Sequence, residues 1–549
     1  MTDKPQSAFH RAWNEPRQFF FWLTMFCAFV FSLATLFIYS TKSQYTFSNP
    51  MPPSVQVVAL LSLLAGVVSL LVFFIAWIPP VRRLLVWLLR FRFLILVGFI
   101  TLIALFYAVE NWRGRRAWKN FQAEWNEKGE TFDYESVIPS PVSTAENFFE
   151  SEPWQFLHYD RVNATDTERE TIKSKEVLSV YVNSSGGPKL AAAGRPNDLR
   201  EWQAYYRGTN NQFKAADGTL TNFFPTSPQT QPPAKDILLA LSRYENTYRQ
   251  ISDAAKRPRS RFWINYEDGF STIYTHFEKL KGCTTYLTLK SLAEIEDQQP
   301  DAALADVLLS FHMGETIRTE PFLISHLVRL GFHNISLLGL KQGLANHIWN
   351  EGQLLTLDQA LAKRDFIQDY QTAMRGERAG SLFAFDYMRR ERNFDYMGDA
   401  PSALETGSLL GQAIGNSPLY LLPAGWFDQN KVAVSRMHVE LVLPAVDVQA
   451  RIVSPKKTSQ METSALDSVA TISPYNMFSR MLLQAFSHFA QRFAAAQTSV
   501  DSARIAIALE RHRLAHGNYP ETLDALVPQF IAKLPHDVIN SQPDRKSVV

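Results

Sequence analysis

Three long apolar runs near the N-terminus constrain this chain more than any other feature. They cover residues 19–39, 55–78 and 93–109 of a 549-residue sequence, and none contains a charged residue. At a rise of about 1.5 Å per residue, a helix over either of the first two runs would cross the roughly 30 Å hydrocarbon core of a bilayer. The pattern therefore predicts three transmembrane helices in a membrane block over residues 19–110, preceded by a tail over residues 1–18.

Basic residues around these runs predict the orientation. Lys4, Arg11 and Arg17 precede the first run, only Lys42 follows it, and arginines recur after the second run. Basic residues concentrate on the cytoplasmic side, so the first hairpin places the N-terminus inside and, after three spans, the large domain outside. A basic cluster beyond the third run favours the opposite orientation. The first hairpin outweighs that cluster because large domains translocate largely regardless of charge.

The pattern of the remaining chain predicts a mostly α-helical body that is exposed to water. Trp118, Phe121 and Trp125 form one helical stripe that Gly129 ends, which predicts a stalk over residues 111–130. Proline and glycine punctuate residues 131–233, which predicts an irregular subdomain with a small β part. Residues 234–460 follow helical periodicity, with one helix expected over residues 357–374, and predict an α-helical domain resembling an array of helical pairs. Residues 461–543 predict a long C-terminal helix, which Gly517 ends, and a turn.

Composition excludes several classes of function. The 55 basic and 53 acidic residues leave a net charge of +2, which provides no electrostatic argument for nucleic-acid binding. The two cysteines, Cys27 and Cys283, have no zinc-ligand spacing. Signatures of the common hydrolase, nucleotide-binding and dinucleotide-binding families are missing from the sequence. We therefore predict no cofactor, no metal and no catalytic residue.

The densest cluster of charged residues provides the best candidate site. Its members are Arg375, Glu377, Arg378, Asp386 and Arg389. One interpretation is a cleft that binds an anionic ligand through arginine forks. The other, which we favour, is a network of salt bridges that joins helices.

Two further patterns carry weaker predictions. His326 and His333 share a helical face, and we interpret them as structural because a metal site would need closer ligand spacing. Asp365 and Asp369 are four residues apart and could work as an acid–base pair or hold a cation. A solvated helix face with Arg364 nearby is the interpretation we favour.

One segment near the C-terminus resembles a known family. Residues 503–535 contain Ala508-Leu-Glu510, Gly517-Asn-Tyr-Pro520 and a Leu523/Leu526 pair. This order resembles the element behind the first helix of type II secretion major pseudopilins. In that family the element follows an N-terminal membrane helix, whereas here it lies at the far end, so the pilin role does not transfer. Four further segments carry a second resemblance: NWRGRRAW at 111–118, FLISHLVRLG at 322–331, MRGERA at 374–379 and ALERHRLAHGNYPETLDAL at 508–526. With them, the whole chain resembles a group of uncharacterised bacterial membrane-anchored proteins.

These observations lead to one expected location and three hypotheses of function. We expect a multi-pass protein of the bacterial inner membrane, with the lipid bilayer as one partner and a protein of the cell envelope as another. The first hypothesis is an envelope scaffold or interaction protein. The second is an envelope hydrolase or ligand-binding enzyme centred on residues 375–392, and the third is an accessory of secretion or pilus assembly.

The last six residues have an unusual origin in our interpretation. Residues 544–549 are what a common short-read sequencing adapter would encode. We therefore expect that this end is not native and that the natural protein continues beyond Pro543.

Overall fold

A computed structural model describes residues 25, 91–154, 182, 187–190, 197–214, 220–392, 419, 421–461, 473–479 and 487–540. Helices hold 69% of the structure and strands 3%, which confirms the predicted mostly α-helical class. The described residues form two compact units. The first lies within Met1–Ala117 and Met388–Phe427, and the second lies within Trp118–Tyr387 and Asp428–Val549.

Helix α1, Arg92–Glu127, contains the third predicted span. Two helices in the described part of the chain, rather than the three predicted, are long and apolar enough to cross a membrane: Phe93–Glu127 and Leu323–Ala345. Only 6% of the apolar stretch is buried in the first, against 61% in the second. Leu323–Ala345 is therefore packed as a core helix, while the first exposes its apolar side chains as lipid requires. The predicted spans 19–39 and 55–78 lie outside the described residues.

Helix α1 contacts a later segment within the first unit. Gly425 lies so close to the helix that an added Cβ would stand 2.0 Å from the carbonyl oxygen of Glu110. The Gly425 N–H donates to Asn111 Oδ1 at 2.9 Å, and Trp426 Nε1 donates to Glu110 Oε2 at 3.0 Å. Tyr107 Oη donates to the carbonyl oxygen of Leu421 at 2.5 Å. The side chain of Glu110 is thereby buried and paired just beyond the apolar stretch.

The irregular subdomain folds around aromatic side chains. Asp198 accepts a hydrogen bond from the Arg200 N–H and so caps helix α2, Leu199–Arg207. Strands β1, Gln212–Lys214, and β2, Leu220–Asn222, form a small antiparallel hairpin. The core of this part is a set of buried rings, Phe148, Phe149, Trp154, Trp202 and Tyr206. These rings give the irregular subdomain a buried apolar core, although it contains few helices and strands.

Helical packing dominates the second unit. Its next elements are α3, Pro233–Leu241; α4, Glu245–Ala254; α5, Thr275–Glu296; α6, Pro300–Glu315; α7, Leu323–Ala345; α8, Glu351–Ala362; and α9, Phe366–Glu391. Helices α5, α6 and α7 pack on one another. The sequence predicted one helix over residues 357–374, and this prediction is wrong at its centre. The chain breaks at residues 363–365 because Asp365 Oδ1 accepts the Gln368 N–H and caps the start of α9.

The remaining elements are α10, Ala424–Met437; β3, Val446–Asp447; β4, Ile452–Val453; and α11, Ser487–His516. Gly517 has a φ of 81°, so it ends α11 in the left-handed region, as predicted. The segment that resembles pseudopilins then folds back on α11. Tyr519 Oη donates to Glu510 Oε2 at 3.1 Å, and Leu526 is fully buried against Ile505. Its motif residues therefore make local packing contacts within this chain.

Candidate functional site

Two arginines of the predicted cluster meet on one glutamate. Arg375 Nη2 and Arg378 Nη2 each lie 2.7 Å from a different carboxylate oxygen of Glu130. Arg378 also donates to the carbonyl oxygen of Thr131 at 2.8 Å and lies over the Phe132 ring. Burial raises the pKa of Glu130, but the two arginines outweigh it and hold that pKa below its ordinary value. This arrangement ties α9 to the chain that follows α1.

The other members of the predicted cluster have different partners. The Leu323 N–H donates to Glu377 Oε1 at 2.9 Å, and burial raises the pKa of Glu377 to about 7. Asp386 Oδ1 pairs with Lys431 Nζ at 2.5 Å. Arg389 is half-buried and belongs to the first compact unit. The structure thus brings Arg375 and Arg378 together and places Glu377 and Asp386 elsewhere.

A second network of charges lies inside the helical domain. Arg329 donates to both carboxylate oxygens of Glu315 at 3.0 and 3.1 Å and also pairs with Asp369. Arg364 pairs with Glu315 at 3.2 Å and donates to the carbonyl oxygen of Phe311 at 2.8 Å. Asp369 and Arg364 are buried, so the prediction of a solvated face here is wrong. The two arginines neutralise the carboxylates of Glu315 and Asp369 in the interior, where an unpaired charge would be costly to bury.

The two aspartates of the predicted acid–base pair act separately. Asp365 pairs with Arg451 at 2.7 Å, whereas Asp369 belongs to the Arg329 network. Asp365 Oδ1 also accepts the Gln368 N–H and so caps the first turn of α9, the helix that carries Asp369. Asp365 and Asp369 therefore form separate ion pairs with different arginines.

The predicted histidines lie in the core of the helical domain. His326 and His333 are each 1% exposed. Burial lowers the pKa of His326 to about 3 and that of His333 well below its ordinary value, with nearby arginines acting in the same direction. The lowered pKa favours the neutral form of both rings, and His333 Nε2 lies 3.1 Å from Ser499 Oγ. No group of three potential metal ligands comes together in the described ranges.

A buried lysine holds two carboxyl groups between α5 and α6. Lys290 Nζ lies 2.5 Å from Glu294 Oε1 and 2.6 Å from Asp306 Oδ2. Burial and the charge of Asp306 raise the pKa of Glu294 to about 8, so the pair of carboxyls holds a proton near neutral pH. Tyr248 covers the lysine, with Nζ 4.7 Å from the ring centre. The group joins two helices within the interior.

Two cavities lie where the C-terminal segment crosses the hairpin of β3 and β4. One has a volume of about 740 Å³ and an apolar lining that includes Ile452, Val527 and Leu534. The other has a volume of about 270 Å³ and is lined by charged side chains, among them Arg451 and Arg504. Sequence reasoning missed this region because its lining residues come from four separated segments. No period or motif joins them in the sequence.

Comparison of the chain with protein-family models, with curated proteins and with solved structures gives no match. The geometry described above therefore carries the assignment of function.

Proposed function

We propose that this chain is a membrane-anchored interaction protein of the bacterial cell envelope. One observation carries the proposal: the apolar stretch of Phe93–Glu127 is almost wholly exposed, while the comparably apolar Leu323–Ala345 is packed inside a helical domain. An exposed apolar helix of this length is stable in lipid, and a domain with a packed core is stable in water. The same chain thus combines an anchor with a large helical surface.

The contacts of the predicted cluster support an interaction protein over an enzyme at residues 375–392. Arg375 and Arg378, the two side chains best suited to an anionic substrate, both pair with Glu130. A ligand would have to displace that carboxylate before it could use either guanidinium group. The role in secretion or pilus assembly stays a prediction, since the pseudopilin-like segment makes packing contacts within the chain.

Exposed apolar side chains on the helical domain provide places to test for a partner. Ile273 is 64% exposed and Ile324 is 46% exposed. A photo-reactive amino acid at either position, in the full chain in its native membrane, is expected to form a covalent adduct with a discrete protein. Leu102, which is 65% exposed in the apolar stretch of α1, is the matched control and is expected to form adducts with lipid. Lipid adducts alone at all three positions would contradict the proposal.

The side of the membrane is tested by labelling. Leu514 is 43% exposed on α11, and a Leu514→Cys variant presents a thiol on the helical domain. Cys283 is buried and serves as the internal control for a thiol that a polar reagent does not reach. We expect an impermeant maleimide to label Leu514→Cys in spheroplasts without lysis. Labelling that requires lysis would place the domain in the cytoplasm and overturn the orientation.

A further inference from the structure

The two cavities at the C-terminal segment adjoin each other. Lys533, Leu534 and His536 line both of them. Their volumes are about 740 Å³ for the apolar cavity and about 270 Å³ for the polar one. Pockets for small molecules have volumes of about 300–1,000 Å³ and combine an apolar lining with a few polar groups. The pair of cavities has that composition, with its polar groups gathered at one end.

Hydrogen bonds hold the walls of this feature in place. The Val453 N–H of strand β4 donates to the carbonyl oxygen of Val538 at 2.7 Å. His536 Nε2 donates to the carbonyl oxygen of Ala450 at 3.0 Å. Val538 is buried beside them. The cavities are therefore present before any ligand binds, which lowers the entropic cost of binding.

Positive charge dominates the lining of the polar cavity. Its four basic side chains outnumber its two acidic ones; they are Arg364, Arg451, Arg504 and Lys533 against Asp365 and Asp501. Burial raises the pKa of Asp501 above its ordinary value, although Gln497 and the neighbouring arginines act against this. The three arginines pair with carboxylates of the described chain. Lys533 is therefore the side chain that attracts an anionic group to this cavity.

The partners of these basic side chains show which of them can receive a ligand. Arg451 pairs with Asp365 at 2.7 Å, and Arg504 pairs with Asp358 at 2.7 Å. Lys533 forms no ion pair with any described residue. Arg364 is buried, and its Nε has no hydrogen-bond acceptor within the described chain. Lys533 lines both cavities and offers a charge that no described residue pairs with.

The apolar cavity provides a place for a hydrocarbon chain. Ile452, Val527 and Leu534 line it, and Val527 is 37% exposed. Covering such a surface with the apolar part of a ligand is favourable because it removes apolar area from water. A ligand that joins an anion to a hydrocarbon chain would use both cavities at once.

We propose that the paired cavities bind an amphipathic monocarboxylate, with its carboxylate at Lys533 and its hydrocarbon chain against Ile452, Val527 and Leu534. A carboxylate fits better than a phosphate. Asp365 and Asp501 lie in the same cavity, and they repel a doubly charged group more strongly than a singly charged one. This site is separate from the exposed surface positions proposed above for a protein partner.

Calorimetric titration of the full chain in nanodiscs of uncharged lipid tests the site, with empty nanodiscs as the blank. The probes are octanoate, acetate, octyl phosphate and octyltrimethylammonium. We expect octanoate to bind more tightly than acetate, which lacks the chain, and more tightly than octyl phosphate. The cationic probe is expected not to bind. The site would be refuted if octanoate gave the same heat with protein-containing and empty nanodiscs, or if it bound no better than the cation. If octyl phosphate bound more tightly than octanoate, the assignment of a carboxylate would be wrong.

Three variants at exposed positions locate the site. Lys533→Gln removes the uncommitted charge and is expected to weaken octanoate binding about tenfold, the usual effect of losing one charge-assisted hydrogen bond. Val527→Asp places a carboxylate beside the hydrocarbon chain and is expected to weaken binding by a similar factor. Lys363→Gln is the matched control, because Lys363 is exposed close to the cavity without lining it. Equal affinities for Lys533→Gln, Val527→Asp and Lys363→Gln would place binding elsewhere and refute the proposal.

Discussion

The pairing of Glu130 with Arg378 leads to a strong prediction about stability. The side chain of Arg378 is 1% exposed, and its guanidinium group depends on Glu130 and on the carbonyl oxygen of Thr131. Glu130→Ala removes the only one of these partners that carries a charge. Breaking a buried ion pair in this way costs about 3–5 kcal/mol, because the remaining charge stays buried. The side chain of Glu130 is 14% exposed, so water can partly replace it, and we expect about 3 kcal/mol.

The assay is equilibrium unfolding of the full chain in a mild non-ionic detergent. Tryptophan fluorescence is a suitable signal because Trp118 packs against Phe132, whose ring lies below Arg378. The free energy of unfolding is compared between wild type and Glu130→Ala. Domains are stable by about 5–15 kcal/mol, so a loss of about 3 kcal/mol is readily measured.

A matched control separates the buried pair from an ordinary surface pair. Glu124 pairs with Lys128 at 2.7 Å, but both side chains are more than half exposed. Such pairs contribute about 0–1 kcal/mol, so Glu124→Ala is expected to change the free energy of unfolding by less than about 0.5 kcal/mol. If Glu130→Ala were as mild as Glu124→Ala, the reasoning about Arg378 would be refuted.

The dependence on pH provides a second signature of the same pair. The pKa of Glu130 is lowered in the folded chain, so its stabilising contribution is complete above its ordinary pKa of 4.5. That contribution is lost as the pH falls through the folded pKa. The difference in stability between wild type and Glu130→Ala should therefore shrink below about pH 4.5. A difference that stays constant to lower pH would show that the carboxylate charge does not stabilise the fold.

Three further predictions follow from single contacts. Gly425→Ala should loosen the contact with α1, because the added methyl group would stand 2.0 Å from the Glu110 carbonyl oxygen. Amide hydrogen exchange in residues 421–427 should therefore rise, and unchanged exchange would contradict this prediction. Burial raises the pKa of Glu377 to about 7, so the free energy of unfolding should fall as the pH rises from about 4.5 to 7. In unfolding curves measured over this pH range, the Glu377→Gln variant should show a smaller fall. Tyr519→Phe removes the hydrogen bond to Glu510 and should destabilise the end of α11 by about 0.5–1.5 kcal/mol, measured by unfolding; a larger loss would mean that the ring packing had changed too.

Several features of the fold were predictable because they depend on local sequence. The helix through residues 93–109 and the end of α11 at Gly517 both follow from the chemistry of residues close together in the chain. The single helix predicted over residues 357–374 was wrong because helical periodicity continues through the break. Only the capping contact of Asp365 with the Gln368 N–H shows where the second helix begins.

The candidate sites were less predictable, since their partners are remote in the chain. Nothing in the run from Arg375 to Arg389 indicates that Glu130 would neutralise two of its arginines. The solvated face expected at Asp369 became a buried ion pair because Arg329, forty residues earlier, reaches it. The cavities beside Lys533 are lined by segments that meet only after α8, α11 and the hairpin have packed.

By itself, then, the sequence determined where the apolar stretch of α1 lies and that most of the remaining chain is helical. A charge-free apolar run and the apolar stripe of a helix are both patterns of neighbouring residues. Tertiary structure decided which charged side chains form ion pairs within the fold and which remain available to a ligand. Hydropathy is a property of neighbouring residues, whereas the partner of a buried charge depends on which distant segment the packing brings within about 3 Å of it.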